Sequence, residues 1–334
     1  MKRVLVTGVS GFVGQHCAAE LLKEGYAVRG TIRGEHKKSA VIEAMKPYIK
    51  NEDQLDFSIV NLLEDEGWEQ AMQDCEFVLH VASPFFIREP KDEAEYIKPA
   101  VEGTLRVLKE AQKAKVKKVV LTSSTVAMMG SLKEGTLNSE SWTDPSDNQI
   151  SIYMKSKALA EKAAWDFIET QSGDQKIDLV VINPGGIFGP TLTGDMSGQV
   201  MTMTERMITG HFKMAFIPEI VMPFSDVRDV AKLHVLSLTS EQANGKRILS
   251  TFDEPYSFMD IASTLKESGY EKVSTKPAPN WMLKFMGLFD KEVKGMLPLI
   301  GRNLKADNSL AKEIFDWTPV DFKQSILDTA NSIK

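Results

Sequence analysis

The chain has 334 residues, of which 43% are hydrophobic and 26% are charged, and its formal net charge is −6. This length suits one large or two modest domains with a buried core, and the mild acidity disfavours nucleic acid as a partner. No apolar run is long enough to span a bilayer, so no membrane partner is expected. The chain begins directly with a strand pattern, which predicts no signal peptide, and Cys17 and Cys75 form no metal or redox motif. We therefore expect a globular, cytoplasmic protein with no metal site.

A glycine-rich turn follows the first predicted strand. The apolar run at residues 4–6 is typical of a fully buried strand, and Gly8, Gly11 and Gly14 follow it at even spacing. Residues 12–23 predict a helix whose N-terminal N–H groups face this turn. Glycines permit the turn and let the backbone approach a bulky anion, which a helix N-terminus favours. The G-x-x-G-x-x-G spacing in this strand–turn–helix context indicates a dinucleotide pyrophosphate site rather than an ordinary corner.

Predicted strands alternate with predicted helices through most of the chain. Helices are expected at residues 12–23, 68–72, 94–114 and 226–238, and strands at 27–32, 55–60, 76–81, 118–122, 177–182 and 247–250. Such alternation indicates a parallel sheet covered by helices on both faces. The predicted fold class is therefore α/β, with a Rossmann-type doubly wound parallel sheet.

The alternating pattern ends after Pro190. The segment Thr191–Pro223 is rich in Gly and Met and shows no regular pattern, which is typical of a lid or binding loop. From Pro255 onward the sequence predicts mostly short helices. We predict a smaller, mostly helical C-terminal substrate lobe formed by residues 191–223 and 253–334, beside a dinucleotide-binding domain of residues 1–190 and 224–252. The methionines of the irregular segment are Met196, Met201, Met203, Met207, Met214 and Met222; with Phe212, they predict an apolar wall over the substrate.

Four polar side chains indicate the chemistry. Tyr153 and Lys157 are four residues apart in a helical stretch and so lie on one helix face. Ser123 and Ser124 end a strand at the carboxyl edge of the sheet, where open α/β sheets bind ligands. The pKa of a free phenol is ~10, and a nearby ammonium is expected to lower it, while a serine hydroxyl can hold a carbonyl oxygen beside the phenol. Each feature alone is common, but their order after the glycine turn predicts one crevice with carbonyl chemistry.

The end of the second strand indicates which dinucleotide is bound. In an NAD site a carboxylate about twenty residues past the glycines accepts the ribose 2′-hydroxyl. Here that place is taken by Arg33, and Glu35 lies two residues further on. Arg33 can hold a 2′-phosphate with its planar fork and Lys37 can add a point charge, although a solvated basic turn is the alternative interpretation. We predict NADP (NADPH) as the cofactor.

With these motifs in view, the chain resembles the extended short-chain dehydrogenase/reductase family, part of the NAD-dependent epimerase/dehydratase superfamily. Within it, the similarity is to the dihydroflavonol reductase, cinnamoyl-CoA reductase and aldehyde/ketone reductase branch. The resemblance runs nearly end to end and rests on VTGVSGFVG, TIR, HVASP (His80–Pro84), PAVEGT (Pro99–Thr104), LTSS (Leu121–Ser124), YMKSK, NPGGIFGP (Asn183–Pro190), DVRDVAKLHVL and LAKEIFDWTPVDFKQSILDTANS. It implies an NADP-dependent oxidoreductase that reduces an aldehyde or ketone, as a monomer or homodimer.

The resemblance also implies roles for individual residues. Ser124 is the catalytic serine, Tyr153 is the general acid for reduction, and Lys157 binds the nicotinamide ribose and tunes Tyr153. Together with Arg33 and Lys37, the implied cofactor-binding residues are Gly8, Gly11, Phe12, Val13, Asn61, Leu62, Val81, Ala82, Ser83, Tyr153, Lys157, Pro184 and Gly185.

Three departures from the family pattern stand out. Asn61 replaces the usual Asp at the adenine, which predicts weaker binding there, and Ala100 falls where many relatives carry an Asn of a proton relay. The apolar TVAMMG that follows the serines makes a flavonoid substrate less expected.

Two other functions stay open. A nucleotide-sugar epimerase or dehydratase would need basic residues for a diphosphate, and the Met-rich segment offers Arg206, His211 and Lys213. A non-catalytic NADP-binding regulator would not need to keep the serine, tyrosine and lysine.

Overall fold

The structure, a computed structural model, describes residues 1–83, 92–173, 175–194 and 198–333. The helices are α1 (Phe12–Lys23), α2 (Lys38–Met45), α3 (Trp68–Met72), α4 (Ala94–Lys113), α5 (Val126–Met129), α6 (Ile152–Thr170), α7 (Gln199–Thr209), α8 (Val227–Ser237), α9 (Phe258–Glu267), α10 (Asn280–Met286), α11 (Lys291–Met296), α12 (Ser309–Phe315) and α13 (Phe322–Ser332). The strands are β1 (Arg3–Thr7), β2 (Ala27–Ile32), β3 (Leu55–Ile59), β4 (Cys75–His80), β5 (Lys118–Thr122), β6 (Glu134–Leu137), β7 (Asp178–Pro184), β8 (Gly186–Phe188), β9 (Val221–Met222), β10 (Phe224–Asp226), β11 (Arg247–Ser250), β12 (Tyr256–Ser257) and β13 (Asn303–Ala306).

The central sheet of the described chain has seven strands in the order β11-β7-β5-β4-β1-β2-β3, and every neighbouring pair is parallel. The chain leaves β1 in one direction through β2 and β3, and in the other through β4 and β5. The strand order therefore reverses between β1 and β4, and a crevice opens at their carboxyl ends. The predicted Rossmann-type α/β fold is confirmed.

Both faces of the sheet are buried under helices. Along β1, Val4 and Val6 point into one core cluster, with α1 and α8, while Leu5 points into another, with α3 and α4. Successive residues of a strand face opposite sides, so an uninterrupted apolar run is what a strand covered on both faces requires. This explains why these strands can be read from the sequence as short apolar runs.

A third core cluster joins α7, α9 and α13 to β8 and β10. Its buried aromatic residues include Phe188, Phe224, Phe252, Phe258 and Phe322. The ring of Tyr256 stacks on Phe322 with centroids 3.6 Å apart. This cluster gathers distant parts of the chain into a second packing unit, next to a small sheet of order β12-β9-β13-β6.

Most predicted elements match the structure within two residues, but one prediction was wrong. The segment Thr191–Pro223 contains a regular helix, α7, which ends at Gly210 in a left-handed conformation with φ of 72°. Its buried stripe is Met201, Thr204 and Met207. Because a threonine sits in the middle of the stripe and glycines flank it, the apolar periodicity is weak in the sequence. Within the residues that the structure describes, no helix is both long and apolar enough to cross a membrane.

Candidate active site

A cavity of about 920 Å³ opens at the carboxyl ends of the central strands. It is lined by every residue that the sequence analysis singled out for catalysis or cofactor binding, namely Gly8, Gly11, Phe12, Val13, Arg33, Lys37, Asn61, Leu62, Val81, Ala82, Ser83, Ser124, Tyr153, Lys157, Pro184 and Gly185. Pro84 and Met196 lie outside the described residues, as does the side chain of Lys213. The structure thus brings the predicted residues together in one crevice.

The glycine turn is shaped by close packing. Gly8 has a φ of +68°, a conformation that glycine adopts most easily, and its N–H donates to Thr31 Oγ1 at 3.0 Å. A Cβ atom at Gly14 would lie 2.3 Å from Gly8 O, so α1 can begin this close to the turn only with glycine there. A Cβ atom at Gly11 would meet only Gly8 O at 3.4 Å, and Gly11 lines the cavity. The turn therefore presents an open backbone surface beside a helix N-terminus, which fits a dinucleotide pyrophosphate.

The segment after β4 is held by a buried hydroxyl. Thr7 Oγ1 accepts hydrogen bonds from Val81 N at 3.0 Å and Ala82 N at 2.9 Å, and it lies 2.9 Å from His80 Nδ1. Because both oxygen lone pairs are used, the threonine proton must be donated to His80 Nδ1. Burial, and then the charge of Lys157, lowers the pKa of His80 to about 3, so this histidine stays neutral and accepts that proton.

The end of the cavity that lies beside the carboxyl end of β2 carries positive charge. Arg33 and Lys37 are exposed and line it. The nearby carboxylate of Glu35 lies 3.8 Å from the ammonium of Lys38, and among the described residues it is not part of the cavity lining. His36, which the sequence analysis did not single out, lines the same end. These donors fit a phosphate group better than a ribose hydroxyl.

Asn61 stabilises its own turn. Its Nδ2 donates to Glu64 Oε1 at 2.8 Å, and its Oδ1 accepts from Leu63 N at 3.1 Å. Arg106 fixes the same turn from α4 by donating to Leu62 O and by pairing with Asp65 at 2.5 Å. The wall next to the predicted adenine position is therefore built mainly from backbone and apolar surface. Ala100, on α4, is buried.

Tyr153 and Lys157 lie on one face of α6, and the ammonium of Lys157 is 5.9 Å from the centroid of the Tyr153 ring. The expectation that Lys157 lowers the pKa of Tyr153 was wrong for the chain by itself. Loss of water around the phenol raises its pKa, and the neighbouring Tyr96, whose ring packs edge-on at 6.3 Å, raises it further. The same loss of water lowers the pKa of Lys157 to about 8, while Glu161 acts in the opposite direction. Tyr153 is therefore a protonated phenol near neutral pH, which is the state that can donate a proton.

The two serines have different surroundings. Ser123 Oγ donates to the buried carboxylate of Glu161 at 2.5 Å. Ser124 Oγ has weaker partners: it lies 3.4 Å from Pro184 O and accepts from Val126 N at 3.3 Å. The hydroxyl of Ser124 can exchange its long contact for a ligand at little cost, whereas that of Ser123 cannot.

The remaining wall of the cavity is largely apolar. Its residues come from four separate parts of the chain and are Val126, Ile187, Gly198, Gln199, Val200, Met201 and Met222. Met203 and Phe212 are not part of it. Met203, on α7, packs against the third core cluster, and Phe212, beyond the end of α7, is 73% exposed. The sequence contains no signal that separates the methionines lining the cavity from the others. Which of these side chains face the cavity depends on the orientation of α7, a helix that was not predicted.

The described residues contain no group of three or more His, Cys, Asp or Glu side chains that could hold a metal ion.

The strand order, the glycine turn and the helix with Tyr153 and Lys157 together define a Rossmann-type protein of the extended short-chain dehydrogenase/reductase class. A model of the NAD dependent epimerase/dehydratase family matches residues 4–249. The chain belongs to this family.

Several similar proteins of known activity are reductases. The chain is 32% identical over 281 residues to the NADPH-dependent methylglyoxal reductase GRE2 of Saccharomyces cerevisiae, covering 79% of this chain and 82% of that protein. It is 33% identical over 253 residues to the cinnamoyl-CoA reductase CAD2 of Medicago truncatula, covering 74% and 75% of the two chains. The crystal structure of the yeast methylglyoxal/isovaleraldehyde reductase Gre2 complexed with NADPH matches with a TM-score of 0.81 and 28% identity, covering 99% of this chain and 98% of that one.

Proposed function

We propose that this protein is an NADPH-dependent carbonyl reductase that acts on an aldehyde or ketone, with Tyr153 as the proton donor. The observation that carries this proposal is the convergence of Ser124, Tyr153 and Lys157 with the glycine turn in one cavity. The similarity to reductases that use NADPH supports it. When bound, the cofactor would supply the hydride; the chain supplies the binding site, the proton and the orientation of the carbonyl.

The residues that would hold the cofactor follow from the cavity. Gly8, Gly11 and the first turn of α1 would bind the pyrophosphate, and Arg33 with Lys37 would bind the 2′-phosphate. Val81, Ala82 and Ser83 would lie along the cofactor, and Pro184 and Gly185 would lie near its nicotinamide. The hydroxyl of Ser124 would hold the carbonyl oxygen, and the phenol of Tyr153 would give it a proton while Lys157 stays charged.

The apolar wall favours an uncharged substrate. At the end of the cavity away from Arg33, the described lining carries no charged side chain beyond Lys157. A nucleotide sugar would bring a diphosphate to that end, where Lys157 is the one cation in the described lining. We infer that residues 191–223 and 253–334 form a substrate lobe on the nucleotide-binding domain, and that its contribution to the pocket selects apolar carbonyl compounds.

The test is NADPH oxidation by purified protein with a panel of aliphatic and aromatic aldehydes, ketones and dicarbonyls. Turnover with at least one class is expected, and Tyr153→Phe should lower kcat by at least about 10³-fold because the proton donor is removed. Binding of NADPH by this variant should stay near the wild-type value. Wild-type turnover by the Phe variant would contradict the role of Tyr153, and binding without any turnover by the wild type would favour a regulator.

A further inference from the structure

A fully buried carboxylate lies directly behind the proposed catalytic residues. Glu161 is on α6, one turn after Lys157 and two turns after Tyr153, so the three side chains share a helix face. It is 1% exposed, and its partner Arg247, on β11, is 6% exposed. The distance from Arg247 Nε to Glu161 Oε1 is 2.6 Å.

The carboxylate of Glu161 joins three strands of the sheet. Besides Arg247 of β11, it accepts from Ser123 Oγ at 2.5 Å, at the end of β5, and from Asn183 Nδ2 at 2.9 Å, in β7. Asn183 Nδ2 also reaches Ser124 O at 3.3 Å. One acidic group therefore connects the side chain of Ser123 directly, and the carbonyl of Ser124 through Asn183, to the helix that carries Tyr153.

Arg247 is itself restrained. Its Nη1 donates to Ser139 O at 2.8 Å and to Ser141 O at 2.5 Å, and its guanidinium lies 3.8 Å from the centroid of the Trp142 ring. Because desolvation makes such pairs costly, the buried ion pair is weak evidence for a role in stability, and its hydrogen bonds indicate a role in positioning.

We propose that Glu161 is a positioning residue of the reductase: its carboxylate holds the Ser123–Ser124 strand end in place relative to the phenol of Tyr153, and it places a negative charge one helix turn from Lys157. The proposal rests on the proposed reductase function. It assigns Glu161 no contact with substrate or cofactor, and within the described residues Glu161 does not line the cavity.

The electrostatic part of this role has a definite sign. The groups around Lys157 are Tyr153 and Glu161 on α6, His80 on β4, Tyr96 on α4 beside Tyr153, and Arg247 beyond Glu161. Loss of water lowers the pKa of Lys157 to about 8, and Glu161 raises it. Lys157 is charged below that pKa and loses its charge as the pH rises through it. Removing the carboxylate must move this loss to lower pH.

The experiment compares Glu161→Gln, the double variant Glu161→Gln with Arg247→Met, and Glu169→Gln in the wild-type background. The double variant avoids an unpaired buried arginine and keeps the test valid if Glu161→Gln alone fails to fold. Glu169, exposed on the same helix, gives the same chemical change away from the cavity. For each variant, kcat and the KM for NADPH are measured from pH 6 to pH 9, with the melting temperature as a check of folding.

For the Glu161 variants we expect kcat to fall about tenfold at pH 6, with the KM for NADPH within about twofold of wild type. In Glu161→Gln the loss should be about fivefold larger at pH 8, because a pKa of Lys157 lowered by about one leaves it mostly neutral there. Glu169→Gln should follow the wild-type curve. A folded double variant whose kcat is unchanged, or a folded Glu161→Gln variant whose kcat is lowered by one constant factor at all pH values, would overturn the proposal. Absence of turnover by the wild type would overturn the reductase function and this role with it.

Discussion

The two ends of the cavity are built from different materials. At the glycine turn the surface is mostly backbone, held by hydrogen bonds such as Gly8 N to Thr31 Oγ1 and Ala82 N to Thr7 Oγ1. At the opposite end it is mostly side chain, contributed by residues such as Val200, Met201 and Met222. Backbone held this way offers few ways to change shape, whereas flexible thioethers can be exchanged or repacked. The end at the glycine turn therefore suits a ligand that is always the same, and the side-chain end suits a ligand that can differ between related proteins.

After Tyr153→Phe, the largest effect is expected at Ser124, which lies between the two ends. Ser124→Ala should lower kcat on the order of 10²-fold, because one oriented donor to the carbonyl oxygen is lost. Ser123→Ala is the comparison, since its hydroxyl already binds Glu161 and should matter less. Steady-state rates with NADPH and the best substrate of the panel measure both. If Ser123→Ala is the more damaging change, the roles of the two serines are reversed.

The backbone end is tested by Gly11→Ala. The φ of Gly11 is −88° and its Cβ would have room, so the variant should fold with a melting temperature near that of wild type. The methyl group would occupy cavity surface and displace the pyrophosphate, which should lose a hydrogen bond to the backbone. Loss of one charged hydrogen bond corresponds to about a 10- to 100-fold weaker Kd for NADPH. Calorimetric titration measures this Kd. Gly295→Ala is the control, because a Cβ atom added at Gly295 would have no neighbour within 4 Å. An unchanged Kd would show that the pyrophosphate does not approach Gly11.

Cofactor choice should depend on the part of the cavity that Arg33 and Lys37 line. Arg33→Ala should reduce the ratio of kcat/KM for NADPH over that for NADH by about tenfold, which is the value of one good phosphate contact. Lys323→Ala, an exposed lysine on α13, removes a positive charge elsewhere and should leave the ratio unchanged. Equal use of both cofactors by the wild type, or a ratio that Arg33→Ala does not alter, would refute the assignment of Arg33 to the 2′-phosphate.

The smallest and most selective effect is expected at the side-chain end. Met222→Ala should change relative kcat/KM values across the carbonyl panel by about threefold to tenfold, since a few methylene contacts are gained or lost. The KM for NADPH should not change. Met203→Ala is a matched control, because this methionine is also partly buried and also packs against the third core cluster, but it does not line the cavity. If Met203→Ala alters substrate preference as much as Met222→Ala, the apolar wall has been assigned to the wrong side of α7.

The contrast between the two ends also explains what can be predicted from the sequence. Strands such as β1 and β5 contain uninterrupted apolar runs, and Gly8 and Gly14 are required by the local backbone conformation and packing. Both kinds of feature can therefore be recognised within a few residues of sequence. The pocket wall depends on where α7 lies, and α7 is held by the third core cluster, whose members are scattered over more than a hundred residues. The pKa of Tyr153 was also out of reach, because burial and the edge-on contact with Tyr96 arise only in the folded chain. The roles of the individual site residues remain predictions.

The buried pair of Glu161 and Arg247 joins residues 86 positions apart. On a ribosome, the helix with Tyr153 and Lys157 is synthesised well before the strand that carries Arg247. Until that strand emerges, the carboxylate of Glu161 has no guanidinium to pair with, and a nascent chain must keep it hydrated. The proposed catalytic helix can therefore dock fully on the sheet only after most of the polypeptide has been made, so protein cut short before residue 247 would contain the glycine turn, the serines, the tyrosine and the lysine and still lack a finished site.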